Sequence, residues 1–131
     1  MSLTILGYVA LGSALGGMAR VWVVNRVTAR PGGGVPLGTL VVNLSGALLV
    51  GLLAGALPGL RDKPMETGYV LLIAGLLGSY TTASSFILQT LALLRARRPG
   101  PAALNGVVTL FGCVLLAGTG YLVALYWTGA L

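Results

Sequence analysis

The sequence predicts an all-α membrane protein of four transmembrane helices with a broken third helix, and three observations predict it. Apolar residues fill 56% of the 131 positions and charged residues only 8%, the balance of an integral membrane protein. Four apolar stretches, at about 3–24, 37–57, 67–94 and 102–127, are each long enough to cross about 30 Å of hydrocarbon at about 1.5 Å per residue. Inside the third stretch, six of the seven residues from 79 to 85 carry a hydroxyl. Its flanks, 69–77 and 87–94, are too short to span alone, so they belong to one segment whose polar centre is unwound near the bilayer midplane. Helical backbone can open there only where other protein groups or a polar cavity meet its N–H and C=O groups.

The first span, 3–24, holds Gly12 and Gly16 in a G-x-x-x-G pair followed by Gly17, a pattern that lets a second helix approach closely. No basic region precedes it, so it does not read as a secretory signal. Arg20 lies within this span, where a charge either snorkels to the interface or faces water; it is an end-of-helix anchor or part of an anion entrance. Residues 25–36, with Arg26, Arg30, Pro31 and three glycines, read as a turn-rich loop. The second span, 37–57, begins with Thr39 and Asn43 four residues apart, on one face with Ala47. Asn43 is a candidate either for interhelical glue or for pore lining. Residues 58–66 form a second loop, carrying Arg61, Asp62, Lys63 and Glu66. After the broken span come Arg95, Arg97 and Arg98 and the prolines of 99–101. The fourth span, 102–127, sets Asn105, Thr109 and Cys113 at four-residue steps in one polar stripe, and ends in Tyr126 and Trp127, where an interfacial aromatic belt is expected.

What the chain lacks narrows its function. There is no His, one Cys, and two carboxylates, Asp62 and Glu66, both in one predicted loop. Neither a clustered metal site nor a positioned general acid or base can be assembled from these, so an enzyme is not expected. The net charge of +6 does not point to nucleic acid, because the basic residues gather at helix ends and read as topology signals. Four spans put both termini on one side. Loops one and three carry five basic residues against two in loop two, which favours those loops in the cytoplasm and the termini outside the cell membrane.

Three blocks carry a resemblance. G-G-M-A-R at 16–20, P-L-G-T-L-V-V-N-L-S-G at 36–46 and G-S-Y-T-T-A-S-S-F at 78–86 resemble, in order and spacing, the signature blocks of the Fluc (CrcB-type) fluoride channel family. Where that family usually shows T-T-F-S-T-F, this chain has Ala83 for the first Phe and Ser85 for the second-last Thr. The resemblance implies an inverted, dual-topology dimer of four-helix subunits in the cell inner (plasma) membrane, passive fluoride export and protection from fluoride. It implies two fluoride pathways bordered by Asn43 and Phe86 and continued by the fourth-helix stripe of Asn105 and Thr109. It implies also a structural sodium ion held by the backbone carbonyls of Gly78 and Thr81. With no ring at Ala83, the neighbouring hydroxyls of Thr82 and Ser84 become candidates for the anion. The five-to-two charge bias leaves open a homodimer or a heterodimer with a related, oppositely inserted subunit.

The residues themselves suit such an ion. A small, strongly hydrated anion must exchange water for donors at close range, and Asn amides, Ser and Thr hydroxyls and aromatic ring edges supply these without a fixed charge. Two alternatives stand beside this reading. A small proton-coupled multidrug exporter also has four helices, but depends on a carboxylate in its first helix, and residues 3–24 contain none. A non-conducting partner subunit needs only the glycine-rich helices and leaves the ordered polar residues unexplained.

Overall fold

Four helices long and apolar enough to span a membrane run through the chain, the third of them interrupted. The computed structural model describes residues 3–28, 34–57 and 67–130, so Arg30, Arg61, Asp62, Lys63 and Glu66 lie outside the described residues. Helix α1 covers Leu3–Thr28 and α2 covers Leu37–Ala56. The third segment opens as α3, residues 67–80, whose middle, Val70–Leu77, is a π-helix. Two extended residues follow, Thr81 (ψ 159°) and Thr82 (φ −151°, ψ 117°), and then α4, Ala83–Arg95, completes the span. Helix α5 covers Pro99–Thr128.

Two helix ends differ from the sequence reading. Residues 25–28 continue α1 rather than opening a loop, and the Arg26 guanidinium lies over the Trp22 ring one turn earlier, 5.3 Å from its centroid. That contact gives the last turn a side-chain tether. Helix α5 begins at Pro99 and not at residue 102, because prolines in a first helical turn forfeit only N–H groups that have no intrahelical acceptor. Between α4 and α5 the chain reverses tightly: the Arg98 N–H bonds to the Leu93 carbonyl at 2.9 Å and Arg97 takes the left-handed conformation (φ 55°) usually left to glycine.

Small residues decide which helices meet. The most extensive packing is α2 against α5, followed by α1 against the π-helical part of α3. A Cβ on Gly12 would stand 2.9 Å from the Leu76 nitrogen, and one on Gly16 would collide with the Leu76 carbonyl oxygen. On the other pair, a Cβ on Gly120 would stand 2.6 Å from the Leu48 carbonyl oxygen. The Ser79 hydroxyl adds a polar pin between α3 and α1, donating to the Ser13 carbonyl at 3.0 Å.

The interior is polar for its size. Thr39, Asn43, Thr82, Asn105 and Thr109 are buried beside an apolar core built on Val42, Leu77 and Tyr80. Leu110, Phe111, Val114 and Leu115 of α5, by contrast, are 60% or more exposed. Apolar side chains facing out and hydroxyls and amides facing in is the distribution expected where the solvent is lipid.

Gly16 and Gly17 make a matched test, because a Cβ at Gly17 meets nothing within 4 Å. Gly16→Ala forces two backbones apart and should cost about 1–3 kcal/mol, as overpacking does in other cores. Thermal unfolding of the purified protein should show a lowered midpoint for Gly16→Ala and an unchanged one for Gly17→Ala.

Candidate functional site

The site is built at the break in the third span. Thr81 and Thr82 leave the helix, and the backbone groups of Thr82 are met by one side chain from α2. The Asn43 Nδ2 donates to the Thr82 carbonyl at 3.0 Å, and its Oδ1 accepts from the Thr82 N–H at 2.8 Å. This two-point clasp is buried, with Asn43 8% and Thr82 7% exposed. The Thr82 side chain then starts α4 as its N-cap, its Oγ1 accepting from the Ser85 N–H at 3.2 Å.

The clasp has an electrostatic consequence on the other side of the backbone. In an unbroken helix the Gly78 carbonyl would accept from the Thr82 N–H and the Thr81 carbonyl from the Ser85 N–H. Both donors are engaged elsewhere, by Asn43 and by the Thr82 hydroxyl. Two carbonyl oxygens at the break are thereby released from their helical donors, an all-oxygen, neutral donor set of the kind that unwound membrane helices present to small hard cations. Among the described residues no three His, Cys, Asp or Glu side chains come together.

Beside the clasp lies a cavity of about 520 Å³. Asn43 of α2, Thr82 at the break, Phe86 of α4 and Thr109 and Cys113 of α5 all line it, and it reaches the surface of the bundle beside Ala83 and Val114, which are exposed. The Thr109 Oγ1 is buried without a hydrogen-bond partner in its wall. A hydroxyl without a partner in such a place is uncommon and is free to serve a ligand. Asn43 retains a second amide hydrogen beyond the one given to Thr82.

Other residues singled out from the sequence fall elsewhere. Asn105, 1% exposed, donates through Nδ2 to the Thr90 hydroxyl at 2.9 Å, and that hydroxyl donates to the Phe86 carbonyl at 2.7 Å. It braces α4 against α5 and does not line the cavity. Ser84 is exposed, with its Oγ 3.2 Å from that of Thr82. Arg20 lines a separate cavity of about 260 Å³ with Thr39, Thr82, Ser85 and Gln89. Ser85 and Gln89 are additions to the residues read from sequence; they sit three and seven positions after Thr82, the spacing of one helical face. The Ser45 and Tyr80 hydroxyls, 2.9 Å apart, tie α2 to α3 just before the break.

Comparison with known proteins places the chain among relatives of the same size. The family model described as "CrcB-like protein, Camphor Resistance (CrcB)" matches residues 7–121. A protein of Methylocella silvestris named "Fluoride-specific ion channel FluC" is 39% identical over 119 residues, covering 89% of this chain and 90% of that protein. "Fluoride-specific ion channel FluC 2" of Rhodopseudomonas palustris is 42% identical over 120 residues, with 89% and 90% covered. A Methylobacterium radiotolerans protein with the first of these names is 36% identical over 130 residues, 98% of this chain.

If the clasp holds the break open, its loss leaves Thr82 with two buried unmet groups, each costing about 1–3 kcal/mol, unless the helix closes over Gly78 again. Asn43→Leu should therefore lower the thermal midpoint clearly, and Asn43→Asp, which keeps the acceptor but sets a buried carboxylate oxygen against the Thr82 carbonyl, should lower it at least as far. An Asn43→Leu protein with the parent's midpoint would show that the break stands without the clasp.

Proposed function

The chain belongs to the CrcB-like protein family, and on that premise we propose that it is a fluoride-specific ion channel of the plasma membrane, passing the ion passively outward and so limiting its accumulation. The observation that carries this reading is the cavity at the break, where an amide, three threonines and a ring gather with no fixed charge among them. Fluoride gives up tightly held water only to donors that approach as closely. The second Asn43 amide hydrogen, the unpartnered Thr109 hydroxyl and the Phe86 ring edge are the groups we assign to it, and the Thr82 hydroxyl joins them only by turning its hydrogen away from the Ser85 Oγ, to which it donates at 3.2 Å. Arg20, in the neighbouring cavity, draws the anion in without binding it at the centre. Ser84 and Asn105 act around this route rather than in its wall.

The active unit we propose is an inverted dimer, of two copies or of this chain with a related subunit. A cavity that opens beside Ala83 and Val114 puts polar groups toward lipid unless a partner covers it, and bare polar groups in hydrocarbon are costly. A sodium ion fits the carbonyls of Gly78 and Thr81, whose helical donors are engaged elsewhere; bound there it would supply positive charge that ties the breaks of two subunits together. A proton-coupled exporter finds no support: α1, Leu3–Thr28, contains no carboxylate, and the relatives are named as ion channels, which also sets the chain apart from enzymes. The non-conducting partner subunit is favoured by one observation, the missing ring at Ala83.

The purified protein in liposomes loaded with fluoride or chloride tests the assignment. Fluoride should leave rapidly and chloride should be largely retained; equal efflux of the two would end this reading.

Ala83 lines the cavity, and a phenyl group there would narrow it. An aromatic contact contributes about 0.5–1.5 kcal/mol beyond its area, which is up to about tenfold in rate if it acts wholly on the barrier. Ala83→Phe should leave the protein assembled and raise fluoride flux or sharpen its preference over chloride. An assembled Ala83→Phe protein that conducts less than the parent would remove Phe86 from the pathway as well.

A further inference from the structure

Three cavities follow one another along the bundle. The innermost is that of about 520 Å³ at the break, and next to it is the one of about 260 Å³ containing Arg20. A third, of about 410 Å³, lies between Thr28 at the end of α1, the segment leading into α2, and the last turns of α4, with Arg98 in its wall. Their order is fixed by the helices. Along α2 and the residues before it the walls pass from Pro36 to Thr39 to Asn43, and along α1 from Thr28 to Arg20. Each pair of neighbouring cavities shares one side chain: Thr82 belongs to the inner two and Gln89 to the outer two.

Gln89 is also chemically unfinished. Its Oε1 is buried without a hydrogen-bond partner. Buried side-chain oxygens in folded proteins are normally met, so an unmet one in the shared wall of two cavities marks a carboxamide that no neighbour locks in one orientation. A carboxamide carries two donors at one end and an acceptor at the other, and a half-turn of its terminal torsion exchanges them in nearly the same volume. Such a group can turn its N–H donors to an anion and its oxygen to water. Its surroundings suit an anion: Arg98 stands in the wall on one side, Arg20 on the other, and Thr39 and Ser85 add hydroxyls, with no carboxylate among these lining residues.

We propose that Gln89 is the neutral step through which fluoride passes between the Arg98 cavity and the Arg20 cavity, a permeation residue additional to those at the break. The inference rests on the fluoride-channel reading. Between two guanidinium groups an ion needs a site that replaces part of its water without adding a third charge, and a carboxamide whose oxygen has no partner provides one.

Fluoride efflux from liposomes containing the purified full-length chain, with the assembled state and thermal midpoint measured in parallel, tests this. Gln89→Leu is close in volume and has no donor; assembled and as stable as the parent, it should lose at least tenfold in fluoride efflux. Gln89→Asn keeps a shorter amide and should retain flux between the two. Gln89→Ala, which deletes an unpaired side chain and joins the two cavities, should also lose fluoride flux or admit chloride. Parent-like flux and selectivity in an assembled Leu or Ala variant overturns the proposal, as does failure of both to assemble, which would make Gln89 a packing residue. A parent that moves no fluoride would instead refute the function on which the proposal rests.

Discussion

The clasp between Asn43 and the backbone of Thr82 is the interaction on which the rest of this structure depends. Hydrocarbon offers no hydrogen bonds, so a spanning helix that opens must hand its freed groups to protein atoms. One carboxamide meets both groups of one residue, at 3.0 and 2.8 Å, and from this the other features follow. Because Thr82 is held extended, its hydroxyl can cap α4; because its N–H is taken, the Gly78 carbonyl is released; because the Ser85 N–H turns to the cap, so is that of Thr81. The clasp also sets Thr82 as the wall between two cavities. A single side chain on α2 thus fixes an oxygen-lined backbone face and a hydroxyl-lined side-chain face.

That arrangement needs a close frame, and glycine supplies it. The π-helical stretch of α3 sits against α1 where Gly12 and Gly16 leave no Cβ, and α5 sits against α2 at Gly120 and Gly51. Gly46 gives the same room one turn after Asn43, where a Cβ would run into the Thr81 side chain. Close backbone packing and interhelical hydrogen bonds replace the hydrophobic drive that lipid cannot give between helices. Four helices arranged this way still leave the cavity at Ala83 open and a broad apolar face on α5, which in the proposed dimer a second subunit and lipid would cover.

Much of this was legible in the sequence, and what was not has physical causes. The hydroxyl run at 79–85 announced the break, since nothing else explains such polarity between two short apolar flanks, and Thr81 and Thr82 are where the helix opens. Asn43 stood out, but its partner did not: main-chain atoms 39 residues away carry no signature in the letters. The reading of glue or pore lining therefore stayed open, and the geometry gives Asn43 both a bond to the break and a place in the cavity wall. The π-helix left no trace, because V-L-L-I-A-G-L-L is equally apolar at either helical pitch. Residues 25–28 looked like loop because Asn25 and Arg26 are polar, although Trp22 was already placed to receive the Arg26 cation. Asn105 shares a stripe with Thr109, yet Thr90 lies in its way and takes its donor. Gln89 was legible in principle, three residues after Phe86 on the face that Thr82 begins; a lone Gln near a helix end is simply more often a surface residue.

Along the proposed route, the distribution of charge would let the cavities attract an anion and still release it quickly. Arg98 and Arg20 stand in the outer walls, while Asn43, Thr82 and Thr109 at the break are neutral. A guanidinium about 4 Å from the ion would hold it by about 4 kcal/mol in a medium of effective dielectric near 20. At about 1.4 kcal/mol per factor of ten, release from such a contact would slow about a thousandfold. Neutral donors can replace water without that penalty, since each hydrogen bond to the ion exchanges for one to water at a modest net difference. Charge is therefore useful where the ion is still partly hydrated and screening is strong, and harmful where it is bare. The same logic gives the clasp a second value in the proposed channel: by spending the Asn43 oxygen on the Thr82 N–H, it would turn the acceptor end of the amide away from an anion in the cavity and leave a donor hydrogen on the nitrogen.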